Sequence, residues 1–167
     1  MLKFFKKYLF DQSHQHKKVF LRSLEIFKDL KDRDLGHLVG SLHSRSYKEG
    51  EVIFMEGDIG RALFILESGK IELNKRDAAG KNRKIFTLEP GDFFGEMALL
   101  EQLPRTATAV AVEQSQLHLL YRSKLDAILY RHPHIGVSIM SHLARLLSNR
   151  LRRAGNLTPL HSPPTYG

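Results

Sequence analysis

Between Tyr47 and Leu120 the chain breaks into short runs of β-branched, aromatic and aliphatic residues, punctuated by glycine-bearing turns. The runs are Val52-Ile-Phe54, Ala62-Leu-Phe-Ile-Leu66, Ile71-Glu-Leu73, Lys84-Ile-Phe86, Thr106 to Val112 and Gln116 to Leu120. The turns fall at Glu56-Gly-Asp58, Ser68-Gly69, Ala79-Gly80 and Pro90-Gly-Asp92. Each run is too short for a helix and carries the residue types that suit a pleated, half-buried surface. Six or more strands at this spacing predict a double-sheet jelly roll rather than a parallel α/β sheet.

The strands are flanked by helical patterns, so the fold class is α+β. The first 45 residues read as helical, with Leu24, Phe27, Leu30, Leu35, Leu38 and Leu42 at mostly three- and four-residue intervals and Asp32-Arg-Asp34 as a cap between two short helices. Ser123 opens a helix through Tyr130, the His132-Pro133 pair ends it, and a longer helix runs from about Ile135 to Arg153. With 167 residues, 42% of them hydrophobic, the chain suits one core with extensions. The predicted division is a basic, helical N-terminal arm over 1–23, a domain over 24–155 and a flexible proline-rich tail over 156–167.

The net charge of +8 is concentrated at the two ends: residues 1–24 carry +5 and residues 140–167 carry +4, which leaves −1 for everything between. The arm interleaves Leu2, Phe4, Phe5, Tyr8, Leu9 and Phe10 with Lys3, Lys6 and Lys7, a pattern that suits either a helix docked on protein or contact with an anionic membrane surface. No apolar run approaches the roughly 20 residues of a membrane span, and the N-terminus lacks a cleavable signal, so a cytoplasmic protein is expected. The chain has no cysteine, which excludes disulfides, thiolate metal sites and a cysteine nucleophile.

The chemistry concentrates in Phe94-Gly-Glu-Met-Ala-Leu-Leu-Glu-Gln-Leu-Pro-Arg-Thr-Ala107. Glu96 can accept hydrogen bonds from a sugar hydroxyl, Arg105 offers a planar fork of donors that matches phosphate oxygens, and Gly95 leaves the backbone bare for close approach. A carboxylate in so apolar a neighbourhood needs a partner, within the chain an ion pair to Arg105 or a cap on the Ala98 turn. This run resembles the phosphate-binding cassette of cyclic nucleotide-binding domains: Phe-Gly-Glu, an apolar residue, Ala-Leu, a spacer, then Pro-Arg, a small residue and Ala, matched without a gap. The segment Tyr47-Lys-Glu-Gly-Glu-Val-Ile-Phe54, Gly57, Gly69 and Pro90-Gly-Asp-Phe-Phe94 extend the likeness.

The resemblance implies cyclic AMP or cyclic GMP as ligand. Glu96 would then take the ribose 2′-hydroxyl and Arg105 the cyclic phosphate, with the amides of the Met97-Ala98 turn aimed at the same phosphate and Thr106 beside it. Leu73 and Ile85 fall where the family lines its base pocket. Ala144 to Leu157 is similar to the lid helix of the catabolite activator group, which puts Arg150 at the lid position, stacked on the purine or solvated. The last two helices would act as hinge and lid. Ile135, Ile139, Leu143, Leu146, Leu147 and Leu151 form a stripe on the lid helix that suits packing on the chain's own domain or a helix-to-helix homodimer.

Two other function classes fit less well. Metal-dependent jelly rolls hold their ion with histidines inside the barrel, whereas His14-Gln-His16 and His132-Pro-His134 lie outside the strands, and no catalytic triad stands out, so no enzyme and no metal are expected. Catabolite activators continue after the lid into a helix-turn-helix domain, and Thr158 to Gly167 is too short for one. The expectation is therefore a stand-alone sensor acting on a separate effector protein, without specific DNA binding; the alternative is a transcription-regulator-like protein without a helix-turn-helix that contacts nucleic acid or an anionic membrane through its basic arms.

Overall fold

The computed structural model describes residues 2–154, and side chains for 12–97 and 99–153. Helix α1 (Leu2–Ser23) leads through a 3-10 turn (Glu25–Phe27) to α2 (Asp32–Ser41). Strands β1 (Leu42–Tyr47), β2 (Val52–Phe54), β3 (Ala62–Ser68), β4 (Ile71–Arg76), β5 (Asn82–Leu88) and β6 (Phe93–Phe94) follow. Then come the short helix α3 (Glu96–Glu101), β7 (Thr108–Ala111), β8 (Ser115–Tyr121), α4 (Arg122–Arg131) and α5 (Pro133–Ala154). The strands pair antiparallel in two four-stranded sheets, ordered β1-β8-β3-β6 and β2-β7-β4-β5, which is the jelly-roll arrangement read from the turn spacing. Gly57, Gly69, Gly80 and Gly91 all take positive φ at the turns expected of them. The tail 156–167 lies outside the described residues, and the arm's Leu2 to Phe10 outside the described side chains.

The apolar run of β3 is continuous rather than alternating because its sheet is buried on both faces. Phe64 and Leu66 point between the sheets, into a core with Tyr47, Ile71, Leu88, Phe94 and Leu117. Leu63 and Ile65 point the other way, into a second core with Leu21, Phe27, Leu35 and Leu38 from the first helices and Leu125, Ile128, Ile135, Ile139 and Leu143 from the last two. A fully buried Leu or Phe contributes about 1.5–3 kcal/mol, so both layers are held strongly. The first half of the α5 stripe thus belongs to the chain's own core. Leu146 packs against that core, while Leu151 near the helix end is 69% exposed.

Three local expectations are corrected. The helical reading to residue 45 runs too far: α2 ends at Ser41, and Leu42 to Tyr47 is a strand paired along its whole length with β8. The sequence His43-Ser-Arg-Ser46 has no period of its own, so pairing with β8 decides its state. The Asp32-Arg-Asp34 cap is the second. Lys31 is the N-cap residue, without a side-chain cap bond. Asp32 instead pairs with Lys18 and Arg22 of α1, and Asp34 lies 3.1 Å from His134 Nε2, so these acids tie α2 to its neighbours. Third, the Thr106 run enters the sheet only at Thr108, and Phe93–Phe94 forms a strand that the sequence did not suggest.

Histidines fasten the helical layer. His118 of β8 lies with Nδ1 3.0 Å from the Ser44 hydroxyl and Nε2 3.1 Å from Glu67, and the other oxygen of Glu67 is 2.8 Å from His16 of α1. His132, at the α4–α5 break, stacks on His37 of α2 with ring centres 4.2 Å apart, and His142 packs on Phe93. Burial pushes His118, His132 and His142 below the ordinary imidazole value. Among their charged neighbours, Lys17 and His16 push His118 the same way, His37, His134 and Arg33 do so for His132, and Arg145 does so for His142. Glu67 and Asp34 oppose the shift. Below the unfolded value of about 6.5 the unfolded chain takes up protons that the folded one refuses, so stability is lost as pH falls through that point. The melting temperature is expected to be lower at about pH 5.5 than at about pH 7.5, and a flat or rising profile in calorimetry would contradict these shifts.

Candidate functional site

The cassette residues fold as a loop, a short helix and a loop between β6 and β7. Phe94 ends β6 in the inter-sheet core, and Gly95 turns the chain with φ 77° and ψ 12°, a left-handed conformation that suits glycine. Helix α3 begins at Glu96, so its first amides, including those of Met97 and Ala98, have no acceptor within the helix. Ala98 has its side chain outside the described ones. Gln102, also at positive φ, ends the helix. The chain then returns along the Glu56-Gly-Asp58 turn: Ile59 bridges Pro104, the Arg105 amide donates to the Asp58 carbonyl at 2.8 Å, and the Gly57 amide donates to the Arg105 carbonyl at 2.8 Å. Arg105 therefore sits in a pinned loop rather than at the start of a strand.

Its side chain is buried and caged by backbone. Nη1 donates to the Gly95 carbonyl at 2.6 Å and Nη2 to the Ala62 carbonyl at 2.8 Å, with the guanidinium over the Phe54 ring at 4.3 Å and near Phe64 at 5.3 Å. Burial pulls the guanidinium below its ordinary value, and Glu96 and Asp58 offset this in part. An arginine stays charged through such a shift. Two of its five N–H groups are engaged by these bonds, which leaves donors for an anion.

Glu96 is 1% exposed, and its carboxylate meets Arg150 of α5, with Nη1 to Oε1 at 2.6 Å. The expected alternative, an ion pair from Glu96 to Arg105, is not formed. Arg150 also donates to the Phe93 carbonyl at 2.9 Å and lies 5.6 Å from the Phe86 ring. Of the two expectations for Arg150, solvation is overturned, because a buried carboxylate and a carbonyl hold it. Stacking on a purine concerns a bound ligand.

These groups line one cavity of about 470 Å³, within the size range of small-ligand sites. Gly95, Glu96, Met97, Arg105, Thr106, Leu73, Ile85 and Arg150, all named from sequence, line it together. Ile85 is 52% exposed and so stands at the mouth. Sequence reasoning missed Phe54, Phe86, Ala107 and Arg153. The i, i+3 spacing of Arg150 and Arg153 on one helix was the available signal for the last. One carboxylate and one caged guanidinium thus open into the same apolar chamber, with an arginine-bearing helix across it. Among the described residues no cluster could hold a metal ion, and no helix is long and apolar enough to cross a membrane.

Comparison with known proteins agrees with this geometry. The family model described as "Cyclic nucleotide-binding domain" matches residues 44–132. The chain is 36% identical over 134 residues to a cyclic AMP receptor protein of Thermus thermophilus, covering 80% of this chain and 60% of that protein. It is 34% identical over 128 residues to a cAMP-dependent protein kinase regulatory subunit of Yarrowia lipolytica, covering 75% of this chain and 33% of that one. The crystal structure of the Thermus thermophilus catabolite activator protein superposes with a TM-score of 0.69 at 37% identity, over 78% of this chain and 59% of that one. The chain therefore spans between a third and three fifths of the length of these relatives.

Proposed function

Because the chain belongs to the cyclic nucleotide-binding domain family, we propose that it is a cyclic nucleotide sensor, with cyclic AMP or cyclic GMP as its ligand and a separate protein as its effector. The observation that carries this reading is the convergence of Glu96 and Arg105 on one apolar cavity beneath α5. The Thermus and Yarrowia relatives, named for cyclic AMP, support cyclic AMP as the first ligand to test.

In this reading the free donors of Arg105 and the first amides of α3 take the cyclic phosphate. A charge-assisted contact of this kind contributes about 1.5–3 kcal/mol. Thr106 adds its hydroxyl beside the phosphate, and Leu73, Ile85 and Phe86 form the apolar wall for the base. Glu96 takes the ribose 2′-hydroxyl. That last contact has a conformational consequence, because the same carboxylate binds Arg150. A bound ribose shares or displaces Arg150, which alters how the end of α5 is held. Ligand binding therefore biases the helix that reports occupancy. The reading assigns no chemical step, only recognition.

Calorimetric titration with cyclic AMP and cyclic GMP, with 5′-AMP as control for the ring phosphate, tests the reading. Saturable binding of a cyclic nucleotide with little response to 5′-AMP is expected, and no binding of either would overturn it. The ribose assignment has a sharper check. Glu96→Gln is expected to weaken cyclic AMP about tenfold, as for loss of a charged hydrogen-bond partner, but to leave the affinity for 2′-deoxy cyclic AMP nearly unchanged. Equal losses for both ligands would remove Glu96 from the ribose contact.

A further inference from the structure

The charge count that left −1 for residues 25–139 conceals a separation. The β4–β5 hairpin from Lys75 to Lys84 holds five cations against Asp77, a net +4, and the rest of that stretch carries −5. Residues 75–85 are all exposed. The one acid is turned inward on its own loop: an Asp77 carboxylate oxygen accepts from the amides of Ala79 at 3.0 Å and Lys81 at 2.9 Å. Lys84 is paired with Glu72 at 3.2 Å. Among the described residues Lys75, Arg76, Lys81 and Arg83 have no ion pair. The hairpin also adjoins the basic end of α5, because Ile85 and Phe86 line the same cavity as Arg150 and Arg153.

Among the described residues strand β5 is the last strand of its sheet, with β4 as its one neighbour. Its outer edge offers alternating N–H and C=O groups to a further strand. Cations on an edge also deter self-association, because a second copy of the same strand would bring like charges together. The same pattern selects an acidic strand. A nucleic-acid phosphate backbone supplies acceptors alone, and a lipid headgroup layer has no donors and acceptors alternating at strand spacing, so each leaves the edge pattern partly unused, whereas an extended peptide satisfies both halves.

We propose that the open edge of β5, flanked by Lys75, Arg76, Lys81 and Arg83, is a docking site for an extended acidic segment of a partner protein, which adds to the sheet as a fifth strand beside the end of α5. The same strand lines the cavity with Arg150 and Arg153, on the helix whose hold on Glu96 a ligand would alter. A partner seated on β5 therefore joins a strand whose own residues meet that helix across the cavity. That coupling rests on the sensor reading above; the docking itself does not.

The probe is a fluorescent peptide of alternating glutamate and valine, read by anisotropy with the whole chain. It is expected to bind in a salt-dependent manner and to slow amide exchange over 82–85. Lys81→Glu with Arg83→Glu should weaken it about tenfold or more, since two attractive contacts become repulsive. The same peptide N-methylated at alternate residues should fail, because it cannot form the edge bonds. No binding, binding unchanged in the double variant, equal binding of the N-methylated peptide, or preference for a DNA duplex or phosphatidylserine vesicles would each overturn the proposal. Cyclic AMP titration of the same double variant separates the two claims. Nucleotide affinity like that of the unaltered chain assigns the loss to the dock, and absence of nucleotide binding in the unaltered chain defeats the sensor reading while leaving the peptide result intact.

Discussion

Arg105→Leu is expected to lower cyclic AMP affinity by at least tenfold and to cost stability as well. On the proposed reading the binding loss follows from removing the buried cation offered to the phosphate, worth about 1.5–3 kcal/mol as a charge-assisted contact. The stability loss has a separate origin. The guanidinium holds the carbonyls of Gly95 and Ala62, and leucine leaves both without that donor, at about 1–3 kcal/mol for each that stays buried. Arg105→Lys should fall between the two, since it keeps the charge and loses the two-pronged fit. Urea denaturation beside calorimetric titration separates the effects. Unchanged cyclic AMP affinity in a folded Arg105→Leu protein would show that the cassette is not the site.

The second large effect is expected at Gly95. A methyl group there would overlap the Arg105 guanidinium and come within 3.2 Å of the Phe64 ring and 3.3 Å of the Ala62 carbonyl. Its φ of 77° adds backbone strain for any residue with a Cβ. Gly95→Ala should therefore destabilise by about 1–3 kcal/mol, and it should displace Arg105 and tilt the start of α3. Nucleotide affinity falls with it, although no ligand-contacting side chain has been altered. The discriminating result is Gly95→Ala at a temperature where it is fully folded. Affinity equal to that of the unaltered chain would mean the turn relaxes without moving Arg105.

The cassette was legible in the sequence because its chemistry is contiguous: Gly95, Glu96, Arg105 and Thr106 lie within twelve consecutive positions and meet at one cavity. The jelly roll was legible because its turns are written in glycines that the structure places at positive φ. What stayed hidden depends on distant neighbours. Arg150 reaches Glu96 across 54 positions, and no local period could announce that pair. Strand β1 is polar and aperiodic, and becomes a strand through β8. The carbonyl cage around Arg105 uses backbone atoms, which leave no mark in residue identity. The basic hairpin was present in the letters but averaged away, since a sum over a segment discards where its charges stand.

The sheet buried on both faces gives the molecule an unusual grammar of neighbours. Along β3, Leu63 and Ile65 belong with the helices, while Phe64 and Leu66 belong with the barrel. Adjacent letters thus address different compartments, and letters two apart address the same one. A variant library over 63–66 would sort into two interleaved vocabularies, one heard by the helices and one by the core between the sheets. The boundary between the inter-sheet core and the helical layer is as thin as a single extended chain.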